Sequence, residues 1–242
     1  MSMPKEEGRV SLGSRLQPAP TRPSESTRQS ATEEVDSRVS GGWAYRTTKR
    51  LFDICVALIG LTLLLPLVPV IIALIKLDSH GSVLFMQKRV GKNGKLFTCF
   101  KFRSMVENAE AMKADLVRLN EASGAAFKIK QDPRITEIGA FLRRSSLDEV
   151  PQLLNVLLGQ MSIVGPRPQI PSEVALYASW HRRRLAVPPG ITCLWQISGR
   201  SQVGFDEWMR LDVEYVRRRS MQLDLWILLR TLPAVIARKG AY

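Results

Sequence analysis

The longest apolar run in the chain lies between positions 54 and 75, where 22 consecutive residues carry no charge. A helix of about 20 apolar residues is long enough to cross a bilayer. Pro66 and Pro69 lie inside the run, and each proline removes a backbone donor and clashes with the preceding helical turn. The pattern therefore predicts a kinked or broken membrane helix, with two halves that are each too short to cross a ~30 Å hydrocarbon core.

Basic residues flank the apolar run on both sides, with Arg46, Lys49 and Arg50 before it and Lys76 after it. Basic loops stay on the cytoplasmic side of a membrane, so this arrangement favours two cytoplasmic ends. We therefore expect residues 43–78 to form a re-entrant helix, which enters the bilayer and returns to the same face. A single kinked helix that spans the membrane is the alternative.

Other patterns predict regular structure outside this run. Asn93-Gly94, the strongest short signal for a hairpin turn, separates two apolar stretches and predicts a β-hairpin over residues 83–103. Residues 105–130 are polar and are predicted to be helical. Residues 205–237 contain amphipathic stretches with interleaved arginines, which either pack as ordinary helices or lie in a membrane interface.

The first 42 residues differ from the rest of the chain in composition. They contain eight serines, four prolines and no aromatic residue. Such a segment buries too little apolar surface to offset the entropy of ordering, so we expect residues 1–42 to be a disordered tail. The tail also lacks the apolar core of a secretory signal peptide.

Charge and composition limit the class of function. The formal net charge is +13, and the tail contributes none of it because it holds six basic and six acidic residues. This excess favours an anionic partner: nucleic acid, an anionic membrane or a phosphorylated substrate. Nucleic acid is the least favoured, because the basic residues form no helix-turn-helix or aromatic platform. Three cysteines without a CxxC pair argue against a disulfide scaffold and a cysteine zinc site.

An acidic pair is the first candidate for chemistry. Because Pro151 is tolerated only in the first turn of a helix, a helix is predicted to begin between positions 146 and 149. Asp148 and Glu149 then lie at its N-terminus, where the helix dipole favours an ionised carboxylate. Asp148 would suit nucleophilic attack on phosphorus, and Glu149, which points about 100° away, would suit metal binding. The structural alternative is a capping box formed by Ser146 and Glu149.

Three arginines are candidates for phosphate binding. Arg143 and Arg144 precede the acidic pair, and Arg167 lies between two prolines in the segment GPRP at 165–168. The prolines restrict the backbone to an extended conformation, so Arg167 presents its planar fork of donors with little conformational freedom. Such a fork matches phosphate in a bidentate arrangement. A turn with a solvated arginine is the alternative.

Together these segments resemble the bacterial sugar transferases, which are monotopic polyprenyl-phosphate hexose-1-phosphate transferases of the type that initiates exopolysaccharide synthesis. The resemblance covers about residues 46–242, and the block at 142–168 is the longest and most specific part of it. The matching segments are KRLFD (49–53), QKRVGKNGKLF (87–97), FKFRSM (100–105), DPRIT (132–136), LRRSSLDEVPQLLNVLLGQMSIVGPRP (142–168), PPGIT (188–192), WQISGR (195–200) and GAY (240–242).

The resemblance implies a fold and a location. It implies an α+β, predominantly helical, monotopic protein with a Pro-broken re-entrant helix, a β-hairpin and interfacial amphipathic helices. Residues 79–242 would form the catalytic domain at the cytoplasmic face of the inner membrane. Two positions depart from the family pattern: Cys193 stands where the family usually has glycine, and Val150 where it usually has leucine.

The resemblance also implies an activity. Asp148 would attack the β-phosphate of a UDP-sugar and form a covalent sugar-phosphoryl aspartate, from which undecaprenyl phosphate would take the sugar phosphate. Mg²⁺ would be held by Glu149 and Asp148. The family's phosphate-binding residues fall on Arg143 and Arg167, with Arg144 as a further candidate for that role. The candidate residues near the nucleotide or sugar are Lys101, Arg103, Gln196, Arg200 and Asp212. Other polysaccharide-assembly proteins are expected partners, and nucleic acid is not. The rival function is a membrane-anchored scaffold that binds anionic lipid without catalysis.

Overall fold

The computed structural model describes residues 42–121, 129, 131–199 and 203–236, and within them the chain is mostly helical with two small sheets. Nearly all of the predicted disordered tail therefore lies outside the described residues. The helices are α1 (Trp43–Leu64), α2 (Val68–Asp78), α3 (Glu137–Arg144), α4 (Gln152–Leu157), α5 (Pro171–Ala175), α6 (Leu194–Ile197), α7 (Phe205–Arg218) and α8 (Met221–Ile236). The strands are β1 (Leu84–Val90), β2 (Leu96–Phe102), β3 (Ser162–Val164) and β4 (Gly190–Thr192).

The apolar run is helical, and it is long and apolar enough to enter a bilayer. A 3₁₀ turn at Leu65–Leu67, which contains Pro66, separates α1 from α2. Side chains around this turn are exposed apolar groups, including Leu63, Leu65 and Val70. Soluble domains rarely expose large contiguous apolar patches, so this surface indicates contact with lipid.

Both helices of this segment also pack against the rest of the protein. Ala57 of α1 is buried in a cluster with Val156 of α4. Ile71 and Ile75 of α2 are buried in a second cluster with Phe102 at the end of β2. The segment is therefore an integrated part of the fold and not an appended anchor.

The predicted β-hairpin is confirmed. β1 and β2 pair antiparallel with Val90 opposite Leu96 and Leu84 opposite Phe102. Asn93 has a φ of 55° and Gly94 a φ of 76°, the left-handed conformation that this pair of residues adopts more easily than others.

The prediction of helix over residues 105–130 is wrong for its described part, which contains only two 3₁₀ turns, Ala111–Lys113 and Val117–Leu119. Its polar composition provides no apolar stripe for packing, and helices in proteins depend on such a face. By contrast, the amphipathic pattern over 205–237 forms α7 and α8. Met209 and Ile227 are buried there, whereas Trp226 and Leu229 are exposed.

Arg167 is positioned by a parallel strand pairing that the sequence pattern did not predict. β3 pairs with β4, and Gly190 lies so close to Gly165 that an added Cβ would stand 2.1 Å from the Gly165 nitrogen. The contact is between backbones, which cannot move aside as a flexible side chain can.

We expect Gly190→Ala to lower the free energy of unfolding by about 1–3 kcal/mol, because the added methyl group forces the two strands apart. Thermal unfolding in detergent measures the effect. Gly42→Ala is the matched control, since nothing lies within 4 Å of a Cβ at that position. Equal stability of the two variants would contradict the close packing of β3 on β4.

Candidate active site

The acidic pair lies in a 3₁₀ turn between two helices and not at the start of one helix. α3 ends at Arg144, Ser146 adopts a left-handed conformation with φ 58°, and residues Leu147–Glu149 form the 3₁₀ turn. The helix that follows begins only after Pro151. The prediction that a helix begins at 146–149 is therefore wrong, and the Ser146 side chain forms no capping hydrogen bond. The left-handed residue turns the chain sharply and presents both carboxylates to the hairpin.

Glu149 is held between two cations from distant parts of the chain. Arg167 donates to it in a bidentate arrangement, at 2.5 Å to Oε1 and 3.3 Å to Oε2. Lys101 of β2 donates to Oε1 at 2.8 Å. Burial alone would raise the pKa of Glu149, but the charges of Arg167 and Lys101 outweigh it and hold that pKa well below its usual value. Glu149 is therefore ionised, and it fixes the position of Arg167.

Asp148 is buried beside this cluster but has fewer partners. Its Oδ2 lies 3.9 Å from the Lys101 ammonium. Burial raises the pKa of Asp148, and the neighbouring Glu149 charge adds to the rise, while Lys101, Arg143 and Arg167 oppose it. The sequence-based expectation that a helix dipole keeps the pKa of Asp148 low is therefore wrong: the residue lies in a 3₁₀ turn, and burial raises its pKa more than the nearby cations lower it. A weakly paired carboxylate is less stabilised than Glu149, which makes it the better nucleophile of the two.

The two arginines before the acidic pair have different surroundings. Arg143 is partly buried and donates from Nε to the Ser104 hydroxyl at 2.8 Å. Burial lowers the pKa of Arg143, and the nearby Asp148 charge opposes this decrease. Arg144 is exposed at the end of α3. The structure thus brings Arg143, but not Arg144, into the buried cluster around Asp148.

Asp212 is connected to the Arg167 backbone through Arg184. It is fully buried and accepts two hydrogen bonds from Arg184, from Nε at 2.9 Å and from Nη2 at 2.6 Å. Arg184 also donates to the Arg167 carbonyl at 2.6 Å and to the Tyr177 hydroxyl at 2.7 Å. Burial raises the pKa of Asp212 to about 6, with the Arg184 charge opposing it. Asp212 therefore supports the Arg167 backbone through Arg184 instead of facing the cluster.

Sequence reasoning missed Arg184. It is one of three consecutive arginines in HRRRLA at 181–186, and no local pattern separates it from its exposed neighbours Arg182 and Arg183.

The remaining predicted site residues are distributed as follows. Arg103 is buried at the C-terminus of α2, where it donates to the carbonyls of Ile75, Ser79 and His80. It closes that helix end and is not among the cations around Glu149. Gln196 accepts a hydrogen bond from the Cys193 thiol at 2.9 Å. Arg200 lies outside the described residues.

The carboxylates fit a magnesium ion without a dedicated protein cage. Among the described residues no group of three or more His, Cys, Asp or Glu side chains is placed to hold a metal. Mg²⁺ commonly binds one or two carboxylates and completes its shell with substrate phosphates and water. A carboxylate has about four acceptor positions. Glu149 uses three of them for Lys101 and Arg167, and Asp148 retains most of its own.

Known sugar transferases and exopolysaccharide production proteins have sequences similar to this chain. The chain matches the family model described as bacterial sugar transferase over residues 44–238. It is 43% identical over 209 residues to the exopolysaccharide production protein ExoY of Rhizobium meliloti, which covers 85% of this chain and 91% of ExoY. It is 45% identical over 200 residues to galactosyl transferase CpsE of Streptococcus agalactiae, which covers 82% of this chain and 44% of CpsE.

A third relative is the undecaprenyl-phosphate galactose phosphotransferase of Salmonella typhimurium, with 41% identity over 201 residues, 81% of this chain and 42% of that protein. The chain thus spans less than half of CpsE and of the Salmonella protein but nearly all of ExoY. The family model covers α1 except its first residue, α2, the hairpin, the acidic pair and Arg167, so the chain belongs to the bacterial sugar transferase family.

Proposed function

We propose that the protein transfers a sugar-1-phosphate from a UDP-sugar to undecaprenyl phosphate through a covalent intermediate on Asp148, as an early membrane step of exopolysaccharide synthesis. The observation that carries the proposal is the buried, weakly paired Asp148 beside a glutamate that Lys101 and Arg167 hold ionised. Relatives named as undecaprenyl-phosphate phosphotransferases and exopolysaccharide production proteins support the substrate class.

In the first step, a carboxylate oxygen of Asp148 attacks the β-phosphorus of the UDP-sugar. A bond forms between Asp148 and phosphorus, and the bond from that phosphorus to the bridging oxygen breaks, so that UMP leaves with the bonding electrons. Phosphoryl transfer depends on positioning and on neutralising negative charge more than on acid–base chemistry. Arg143, Lys101 and Arg167 provide that positive charge around Asp148.

In the second step, a phosphate oxygen of undecaprenyl phosphate attacks the same phosphorus. The bond to Asp148 breaks, and the carboxylate is restored as the undecaprenyl-diphosphate sugar forms. Glu149 keeps Arg167 in place through both steps because its two oxygens hold the guanidinium at two points.

We further propose that Mg²⁺ bound by Asp148 and Glu149 serves the reaction. When bound, it would neutralise charge on the diphosphate.

We also propose that residues 43–78 are re-entrant and place the catalytic residues at the cytoplasmic face of the inner membrane. A straight helix of this length would extend about 54 Å. Arg50 near one end donates to the carbonyls of Val156 and Leu157, and Arg103 donates to the carbonyls of Ile75 and Ser79 at the other end. Because both ends contact the same catalytic unit, a helix that returns to its starting face agrees better with these contacts than one that crosses.

The reaction is tested by UMP release from detergent-solubilised full-length protein. UDP-glucose, UDP-galactose and UDP-N-acetylhexosamines are offered in turn, with and without undecaprenyl phosphate and Mg²⁺. We expect sustained release only when donor, lipid and Mg²⁺ are all present. Intact-protein mass spectrometry without the lipid should show a mass gain equal to one sugar phosphate. Lipid-vesicle binding without release from any donor would favour the scaffold function instead.

Arg167→Lys is expected to lower kcat/KM for UMP release about 10–100-fold. Lysine keeps the charge but loses one of two charge-assisted hydrogen bonds, each worth about 1.5–3 kcal/mol. Arg217→Lys on the exposed side of α7 serves as the control for the same substitution. If both variants retain wild-type kcat/KM, the bidentate contact of Arg167 has no part in the reaction.

A further inference from the structure

A small cavity adjoins the acidic pair on the side of the hairpin. It is lined by Arg89, Cys99, Lys101, Gln152, Arg167 and Pro168. Arg89, Cys99 and Lys101 come from one face of the hairpin, because alternate residues of β1 and β2 share a face. Gln152 and Arg167 close the cavity from α4 and from the segment after β3. Arg89 and Gln152 have no role in the reaction proposed above.

Positive charge is in excess in this cavity. Three cations line it and two carboxylates adjoin it: Glu149 is paired with Lys101 and Arg167, and Asp148 lies 3.9 Å from Lys101. Within the described part of the chain, Arg89 forms no ion pair, and its guanidinium donates to the Pro168 carbonyl at 3.0 Å. Burial lowers the pKa of Arg89, and the nearby Arg167 charge lowers it further. A cation buried beside another cation is stabilised when an anion binds between them.

Gln152 adds an unused donor at the same place. Its side chain is 2% exposed, and its amide nitrogen, Nε2, has no hydrogen-bond partner among the described residues. A buried amide without a partner costs about 1–3 kcal/mol, so such groups usually have a ligand or a structural partner. An amide donor beside Arg89 and Arg167 matches the oxygens of a phosphate group.

From these observations we infer that Arg89 and Gln152, together with the rim formed by Lys101 and Arg167, constitute a phosphate-binding subsite next to the acidic pair. The inference rests on the proposed function and adds to it a second position for phosphate. The lining has cations and an amide but no aromatic side chain on which a nucleobase could stack, so its chemistry matches a phosphate group. In the proposed reaction, that group belongs to the nucleotide that leaves or to the lipid that arrives.

The subsite is tested by equilibrium binding, which does not require turnover. Isothermal titration of the full-length protein in detergent would measure the Kd for inorganic phosphate, for UMP and for a short-chain polyprenyl phosphate. The variants are Arg89→Gln and Gln152→Met, which approximately keep the length of each side chain. Lys88→Gln is the matched control, because Lys88 is the neighbour of Arg89 on the opposite, exposed face of β1. Arg89→Lys tests whether charge alone is sufficient.

We expect Arg89→Gln and Gln152→Met to raise the Kd of at least one probe about tenfold or more, with less than a twofold change for Lys88→Gln. Weaker binding of UMP alone assigns the subsite to the nucleotide, and weaker binding of the polyprenyl phosphate alone assigns it to the lipid acceptor. Unchanged Kd values for all three probes, or no binding by the wild-type protein, would overturn the inference.

Circular dichroism shows whether each variant is folded, and Arg89→Lys carries the test if Arg89→Gln is not. The result is separate from the proposed function. If the wild-type protein releases UMP but the variants bind every probe as it does, the subsite is rejected and the reaction is retained. If the variants bind a probe more weakly but the wild-type protein never releases UMP, the reaction is rejected and the subsite is retained.

Discussion

Replacing Asp148 by asparagine is expected to reduce UMP release by about 10⁴–10⁶-fold, the range seen when one member of a catalytic unit that acts together is removed. The amide has nearly the same size as the carboxylate but cannot form the phosphoryl bond. Because Asp148 forms few contacts, its loss should leave the fold intact. The same variant should show no mass gain when incubated with the UDP-sugar.

Asp115→Asn is the control for this substitution, since Asp115 is exposed and lies outside the site. It should release UMP at the wild-type rate. Release by Asp148→Asn at a rate close to that of the control would contradict a covalent intermediate on Asp148. If the wild-type protein releases no UMP and Asp148→Asn binds anionic vesicles as well as the wild type does, the scaffold function is favoured.

The second large effect is expected from Arg184→Met, which should lower stability by about 3–5 kcal/mol. Methionine fills part of the space but leaves Asp212 as a buried charge without its partner. It also removes the donors to the Tyr177 hydroxyl and the Arg167 carbonyl. For a domain of this size, such a loss corresponds to a decrease of about 6–20 °C in apparent Tm.

Arg183→Met changes an exposed arginine in the same 3₁₀ turn and should leave the Tm nearly unchanged. Arg184→Lys separates charge from geometry, because it keeps the cation but lacks the fork that contacts three partners at once. We expect it to recover part of the stability and to show reduced kcat with an unchanged fold. Equal Tm values for Arg184→Met and Arg183→Met would contradict the supporting role of Arg184.

Several features could be predicted from the sequence because their signals are local. The apolar run, the Asn93-Gly94 turn and the amphipathic stretches of α7 and α8 each depend on residues close together in the chain. The acidic pair and Arg167 were recognised from short motifs, and the structure places both in one cluster. The capping box was the wrong alternative for Glu149, because two distant cations bind its carboxylate more favourably than the backbone of its own turn.

The family, the long apolar helical segment, the hairpin and the candidate site residues could all be identified from the sequence. Which arginine serves which purpose depends on the tertiary structure. Arg103 closes the end of α2, Arg184 donates to the Arg167 carbonyl, and Arg89 lines the cavity beside Gln152 without an ion pair among the described residues. These roles depend on burial and on partners far away in the chain, such as Asp212, which lies 28 positions from Arg184. These arginines differ in function because the fold gives each a different set of neighbours.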